Sequence, residues 1–325
     1  MAGKPTPQDV HVNTALSEIS LAFKQSVEDL VADKVFPSVQ VEKQSDYILE
    51  FDQNDWMRDE ARKRSPGSES AGGGFSVSSD KTYFADVRAF HKDLPYAVTA
   101  NSDISNLQQQ MAEFVAWKLL LNRERQFIAS YFTTGLWGTD YTGHASTNTG
   151  TNVVYFNDGA LSDPLEAIDR GKEQIQGDTG YVPNILLMGQ QVFNVLRRHP
   201  DIKETIKYTQ LGVGSLDLLA TLFDVERVLI GKTVYATNVE GGTAAYSFAF
   251  GKNMLLCYAP PTPGLLVPTA GYTFEWTGFN GLGLDVAISD IDMPQLKSVR
   301  IEGEMAYDTK LVCSSLGAFY SGIVE

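Results

Sequence analysis

The chain has 325 residues, 43% of them hydrophobic, enough for one elaborate domain or two ordinary ones with ample core. Its formal net charge of −14 argues against a broad basic face that would hold nucleic acid by neutralising phosphates. No apolar run approaches the ~20 residues of a membrane span, and Met1 to Asp9 show no charged-then-apolar leader, so the expectation is a globular protein that neither spans a membrane nor carries a standard secretion signal.

Near the start, Asn13 and Thr14 are cap candidates for an amphipathic segment with Leu16, Ile19, Phe23, Val27, Leu30 and Val31 at helical spacing, ended by Phe36-Pro37. Residues 46–92 then read as a long hairpin: out through Tyr47 to Phe51, back through Thr82 to Phe90. Sixteen of these 47 residues are charged, against 20% of the whole chain, so the hairpin has little apolar surface with which to fold back on its own domain. A neighbouring subunit is the natural place for it to lie. Within it, Trp56 stands beside seven charged residues in the ten from Asp55 to Arg64. Trp56, Arg58, Asp59, Glu60, Arg62, Lys63 and Arg64 are therefore the candidate contacts between subunits. The basic run Arg62-Lys63-Arg64 follows Asp59-Glu60, which favours a solvated or subunit-pairing patch over a phosphate contact.

Ser102 and Asp103 are cap candidates for the longest helix, through about Phe132, with a stripe of Ile104, Leu107, Met111, Phe114 and Leu121 widened by Val115, Leu119 and Ile128. Lys118 and Arg125 interrupt the stripe, so the helix is expected to rest across a sheet. Residues 135–152 are an aperiodic loop. Ser162-Asp163-Pro164 opens a further helix closed by Gly177 and Gly180. A buried strand at 183–189, helices around Val192–Leu196 and 216–223, and a strand at 225–230 make an α/β lobe between about 181 and 288. The tail, 299–308 and 310–320, reads as two strands able to pair around Asp308-Thr309. They are the best sheet for the long helix, which makes the α/β lobe an insertion. Cys257 and Cys313 sit in apolar, strand-like sequence and read as reduced core thiols.

Strings that look catalytic fail on spacing. Gly231-Lys232-Thr233 lacks the first glycine of a phosphate loop, since position 226 is Glu, and Val234-Tyr235 continues as strand. Gly212-Val213-Gly214 and Gly281-Leu282-Gly283 each lack the third glycine of a dinucleotide fingerprint. His11, His91, His144 and His199 are isolated, and Asp290 with Asp292 lacks the rest of a calcium loop. No cofactor, metal or nucleophile site is expected, and nothing in the chain asks for an enzyme.

The order of parts resembles the major capsid proteins of tailed bacteriophages, with the Hong Kong ninety-seven type of fold shared with encapsulin shells. The likeness is carried by Val35-Phe36-Pro37, by Trp56 to Ala61 and Gly67 to Gly74, and by Phe132 to Gly138. Further on it includes His199-Pro200-Asp201-Ile202, Tyr272 to Trp276 and Ile301 to Asp308. The resemblance implies an α+β fold with an N-terminal arm at 1–45 and an extended loop at 46–92. A peripheral domain with a spine helix would cover 93–180, completed by C-terminal strands at 290–325, around an inserted axial domain at 181–289. It implies copies of the chain as partners, in pentamers and hexamers of an icosahedral shell enclosing double-stranded DNA in a virion assembled in the bacterial cytoplasm. Separate scaffolding, portal and cement proteins would be further partners. An encapsulin-like compartment is the alternative, and an α/β enzyme binding a small anion is the alternative of a different class. Some relatives join loop to neighbour through a Lys-Asn bond, for which Lys63 is the loop-middle lysine.

Overall fold

The computed structural model of the chain describes residues 25–102, 106–206, 216–239, 241–264, 267–278 and 285–325. The helix start expected at Asn13 and Thr14, the cap candidate Asp103, and the glycine pairs at 212/214 and 281/283 lie outside the described residues.

A 3-10 turn at Val27–Asp29 leads into α1 (Ala32–Val35) and β1 (Ser38–Val41), with Phe36-Pro37 as the break between them. An arm follows, built of β2 (Ser45–Phe51), α2 (Gln53–Met57) and β3 (Val77–Phe84). Then come β4 (Asp86–Pro95), α3 (Tyr96–Ala100) and the spine helix α4 (Leu107–Tyr131). The second half begins with β5 (Thr139–His144), β6 (Asn152–Val154), α5 (Pro164–Thr179) and β7 (Ile185–Gly189). It continues with α6 (Gln190–Leu196), α7 (Pro200–Ile206), α8 (Leu216–Leu222) and β8 (Arg227–Gly231). The remaining strands are β9 (Val234–Ala236), β10 (Tyr246–Phe248), β11 (Met254–Cys257), β12 (Gly271–Trp276), β13 (Ala287–Met293), β14 (Ser298–Leu311) and β15 (Gly317–Ser321).

Two larger sheets organise the molecule. The first runs β1-β12-β14-β13, with β4 also paired to β14. The second runs β6-β5-β15-β11-β7-β8. In the second sheet the buried strands explain their own near-continuous apolar sequence, because both faces are covered. Leu186 and Met188 of β7 point into a core under α5, α6 and α8, while Ile185 and Leu187 point into another shared with Val35, Phe36, Phe127, Phe132 and Trp137. That second core ties the arm residues before β1 to the end of the spine helix: Phe36 lies 5.6 Å from the rings of both Phe127 and Tyr131. α5 is bounded as its sequence suggests. Asp163 Oδ1 accepts from the N–H groups of Leu165 and Glu166 at 3.0 Å each, Pro164 sits in the first turn, and Gly180 closes the helix at φ +77°.

Three expectations need correction. The tail does not form a hairpin: β14 pairs with β12, β13 and β4, whereas β15 enters the other sheet between β5 and β11. A 3-10 turn at Ser314–Leu316 separates them. Sheet membership therefore cuts across the expected boundaries, since β12 falls inside 181–289 yet joins the β14 sheet, and β5, β6 and β15 fall outside it yet join the β7 sheet. The hairpin at 46–92 is also shorter on its return side. β3 ends at Phe84, Ala85 is fully buried, and β4 pairs residue by residue with β14 from Asp86↔Tyr307 to Pro95↔Ser298. Arg300 and Asp93, opposite one another in that register, form a two-pronged pair at 2.8 and 3.2 Å.

The spine helix buries a face slightly rotated from the expected stripe. Val115, Leu119, Arg123 and Phe127, four apart, are inside, and Phe114 is exposed. The helix crosses β14 at Gly303, where a Cβ would stand 2.7 Å from Val115 and 2.9 Å from Leu119, so glycine is what lets it approach so closely. Lys118 and Arg125 do lie outside, over the rings of Phe114 and Tyr235. Gly231-Lys232-Thr233 joins β8 to β9 with no helix after it, so it is no phosphate loop. Among the described residues no helix is long and apolar enough to cross a membrane, and no cluster of His, Cys, Asp and Glu is placed to hold a metal ion.

Candidate assembly surface

The root of the arm is fixed to its own chain. Alternation along β2 sends Ile48 inward against Tyr83 and Phe274, whose rings stack at 4.3 Å, and turns Tyr47 and Leu49 outward. Further out, Asp52 caps α2 by accepting from Asn54 N–H at 2.9 Å. Asp55 accepts from both the N–H and the hydroxyl of Ser76 at 2.8 Å, which closes the neck of the loop and holds its carboxyl below the usual range. At this neck the arm touches its own body, since Gln53 donates to the Asp178 carbonyl and Met57 lies against Gly180. The expectation that the arm finds no footing on its own chain is thus corrected for root and neck.

Beyond the neck the chain makes an excursion from Arg58 to Phe75 without helix or strand, exposed at nearly every residue. Its internal bonds are short-range. Arg58 pairs with Glu60 at 3.1 Å and with Asp55 at 3.6 Å, and Arg64 Nε donates to the Ser68 carbonyl at 2.6 Å across a turn. Asp59, Arg62 and Lys63 are exposed. The structure thus places six of the seven candidates on the projecting loop and Trp56 on α2 at its neck, and among the described residues it joins only Arg58 and Glu60 to each other. Trp56 is 61% exposed and pairs with Phe75, 63% exposed, at 6.0 Å between rings. Sequence reading missed Phe75 and the outward Tyr47, Leu49 and Val77, which with Trp56 and Met57 give the arm an exposed apolar side. The Tyr47-Ile48-Leu49 alternation was the signal for two of them; Phe75, beside three glycines, carried none.

The arm segment before β1 is held by a buried carboxylate that the sequence did not reveal. Glu124, 1% exposed, accepts from Val31 N–H at 3.1 Å, from Ala32 N–H at 2.8 Å and from the Thr233 hydroxyl at 3.3 Å. Burial pushes its pKa up, against those hydrogen bonds and the nearby Arg123, which lower it. Arg123 in turn pairs with Asp33 at 3.2 Å.

One arrangement imitates a catalytic triad: Ser162 Oγ lies 2.8 Å from His199 Nε2, and Asp201 follows two residues on. The proton directions oppose that reading. The Ser162 hydroxyl donates to the Asp158 carbonyl at 2.6 Å, and Asp201 N–H donates to His199 Nδ1 at 3.3 Å, so Nε2 carries the proton and donates to Ser162. Burial lowers the His199 pKa, in keeping with a neutral ring that caps α7. Cys257 is buried and free, its thiol pushed up to about 12, and Cys313 is a half-buried free thiol.

A family described as phage major capsid protein E matches residues 144–235. The major capsid protein of Burkholderia phage BcepMu is 31% identical over 169 residues, 50% of this chain and 52% of that protein, so the match spans about half of that relative's length. The major capsid protein of Pseudomonas phage JBD67 is 23% identical over 330 residues, covering 100% of this chain and 99% of the other. In structure, the chain superposes on the subunit of the bacteriophage PhiM1 mature capsid with a TM-score of 0.59 at 11% identity, covering 97% and 98% of the two chains. The chain has the Hong Kong ninety-seven type fold of phage capsids, and in sequence it is similar to the major capsid proteins of tailed bacteriophages.

Proposed function

We propose that this chain is a major capsid protein, whose copies assemble through pentamers and hexamers into an icosahedral head enclosing the double-stranded DNA of a tailed bacteriophage. The observation that carries the reading is the arm. A projecting arm that shows Trp56, Met57, Phe75, Tyr47 and Leu49 to solvent is a poor design for a solitary protein and a good one for a subunit that lays it on the next copy. The work of such a protein is spread over its contacts and needs no catalytic group. Scaffolding, portal and cement proteins fit as separate partners, and the surroundings of assembly are a bacterial cytoplasm. Electron microscopy and light scattering of the purified, expressed chain test the reading. Closed shells, with nuclease-protected DNA inside particles taken from infected cells, are the expected result. A strictly monomeric protein under every salt and crowding condition would remove it, and shells filled with a protein cargo would move it to the encapsulin-like alternative.

A further inference from the structure

A polar cavity of about 190 Å³ lies where the spine helix α4 crosses β14 and β4 and meets the arm residues Ala32 and Asp33. Three cations, Arg88, Arg123 and Lys310, and two carboxylates, Asp33 and Asp308, line it. Both carboxylates are already engaged: Asp33 with Arg123 at 3.2 Å, and Asp308 with Lys310 at 3.3 Å and the Phe84 N–H at 2.8 Å. Arg88 is left over. Among the described residues it makes no ion pair, its guanidinium stands 5.0 Å above the Tyr307 ring, and its Nε is buried without an acceptor. Tyr307, only 4% exposed, also buries a hydroxyl that has no hydrogen-bond partner. Two donors unmatched among the described residues, beside one excess positive charge, suit a negatively charged acceptor.

We propose that this cavity accepts a carboxylate side chain from a second copy of the chain. The inference rests on the capsid reading and names one contact within it. Acids outnumber bases by 40 to 26, so a neighbouring copy presents mainly carboxylates. The projecting loop supplies two exposed ones, Asp59 and Glu69, with no ion partner of their own among the described residues, whereas Glu60 is taken by Arg58. The cavity has room for one such side chain, and the partner's charge complements that of Arg88.

The test compares the threshold concentration for particle formation with the urea midpoint of the unassembled subunit. Tyr307→Phe removes one donor and little else. The subunit is expected to be as stable as the wild type or more so, because an unmatched buried hydroxyl is gone, while the assembly threshold rises about fivefold or more. Arg88→Gln raises the threshold as well. Either Asp59→Asn or Glu69→Gln raises it alone and adds nothing on top of Arg88→Gln. Thresholds unchanged in Tyr307→Phe and Arg88→Gln, or additive effects of both acid variants with Arg88→Gln, overturn the proposal. So does a subunit destabilised by Tyr307→Phe, because the hydroxyl then has a partner in its own chain. Absence of particles from the wild type would overturn the capsid reading itself, and this contact with it.

Discussion

Trp56 stands exposed beside Phe75, and the charged residues Arg58, Asp59 and Glu60 follow it in the chain. An exposed aromatic with a charged rim is the pattern of an interface anchor, whose truncation commonly costs ~2 kcal/mol or more of association. Because the ring is 61% exposed in the subunit, Trp56→Ala should leave folding within about 0.5 kcal/mol of wild type. Light scattering would show particles lost or shifted to much higher concentration, while circular dichroism stays unchanged; normal assembly, or an unfolded subunit, would remove Trp56 from this role. Glu124 is the opposite case, a charge kept inside. Its pKa is raised in the fold, so the folded state disfavours the ionised form: the stability linked to it is fully present below the ordinary value of 4.5 and is lost as pH rises through the elevated folded value. Glu124→Gln cannot ionise, and its amide NH2 is set against backbone N–H donors that both carboxylate oxygens now accept from, so it is less stable than wild type overall. The gap in urea midpoint between the two proteins should be wider at pH 5 than at pH 8. A gap that widens towards pH 8 would show that the carboxylate is stabilised in the fold, not strained.

At the scale of elements, the arm divides into a root, the two-stranded β2-β3 sheet packed on the β14 sheet through Phe274, and a loop whose bonds among the described residues stay within itself and its neck. Ile48, Tyr83 and Phe274 secure the root, and Asp55 with Ser76 closes the neck. From Asp59 to Gly74 the hydrogen bonds and ion pairs among the described residues stay local, as in Arg58 with Glu60 and Arg64 with Ser68. Replacing residues 59–74 by a short Gly-Ser link is therefore expected to preserve the subunit's urea midpoint and to abolish closed particles in electron micrographs. Shells of normal form from the shortened chain would place the assembly contacts elsewhere. The spine helix teaches a different lesson. Its end was legible from the apolar stripe, since the expected end near Phe132 falls one residue past Tyr131, whereas its start lies at Leu107 after Asn106 and not at the cap candidate Ser102, and its buried face was not legible either. A wide apolar stripe leaves tens of degrees of rotation open, and Gly303 beneath Val115 and Leu119 settles which side goes down.

For the whole molecule, on the proposed reading as a capsid subunit, a net charge of −14 sets the terms on which the chain would meet DNA. A container that fills with a sliding polymer gains nothing from a basic lining, which would hold phosphates and release them only as salt rises. The isolated chain is expected to bind duplex DNA no tighter than about 10⁻⁶ M in a filter-binding titration from low to physiological salt. Tighter affinity that falls steeply with salt would reveal a basic face hidden in the acidic average, with Arg58, Arg62, Lys63 and Arg64 the first residues to replace.

The residues alone determined what is local. Asp163, Pro164 and Gly180 bound α5, the apolar run at Ile185–Gly189 makes a buried strand, and the charge density after Asp55 makes a projecting loop. Caps, turns and alternation act over a few residues, so they can be read from a few residues. Tertiary structure decided the rest. Alternation says which face of a strand is buried but not which strand lies beside it, and so β14 and β15, neighbours in sequence, went to different sheets. The same holds for Glu124, whose burial makes sense only once the N–H groups of Val31 and Ala32 are brought to it. It holds again for the cavity of Arg88 and Tyr307, whose donors come from strands more than two hundred residues apart in the chain.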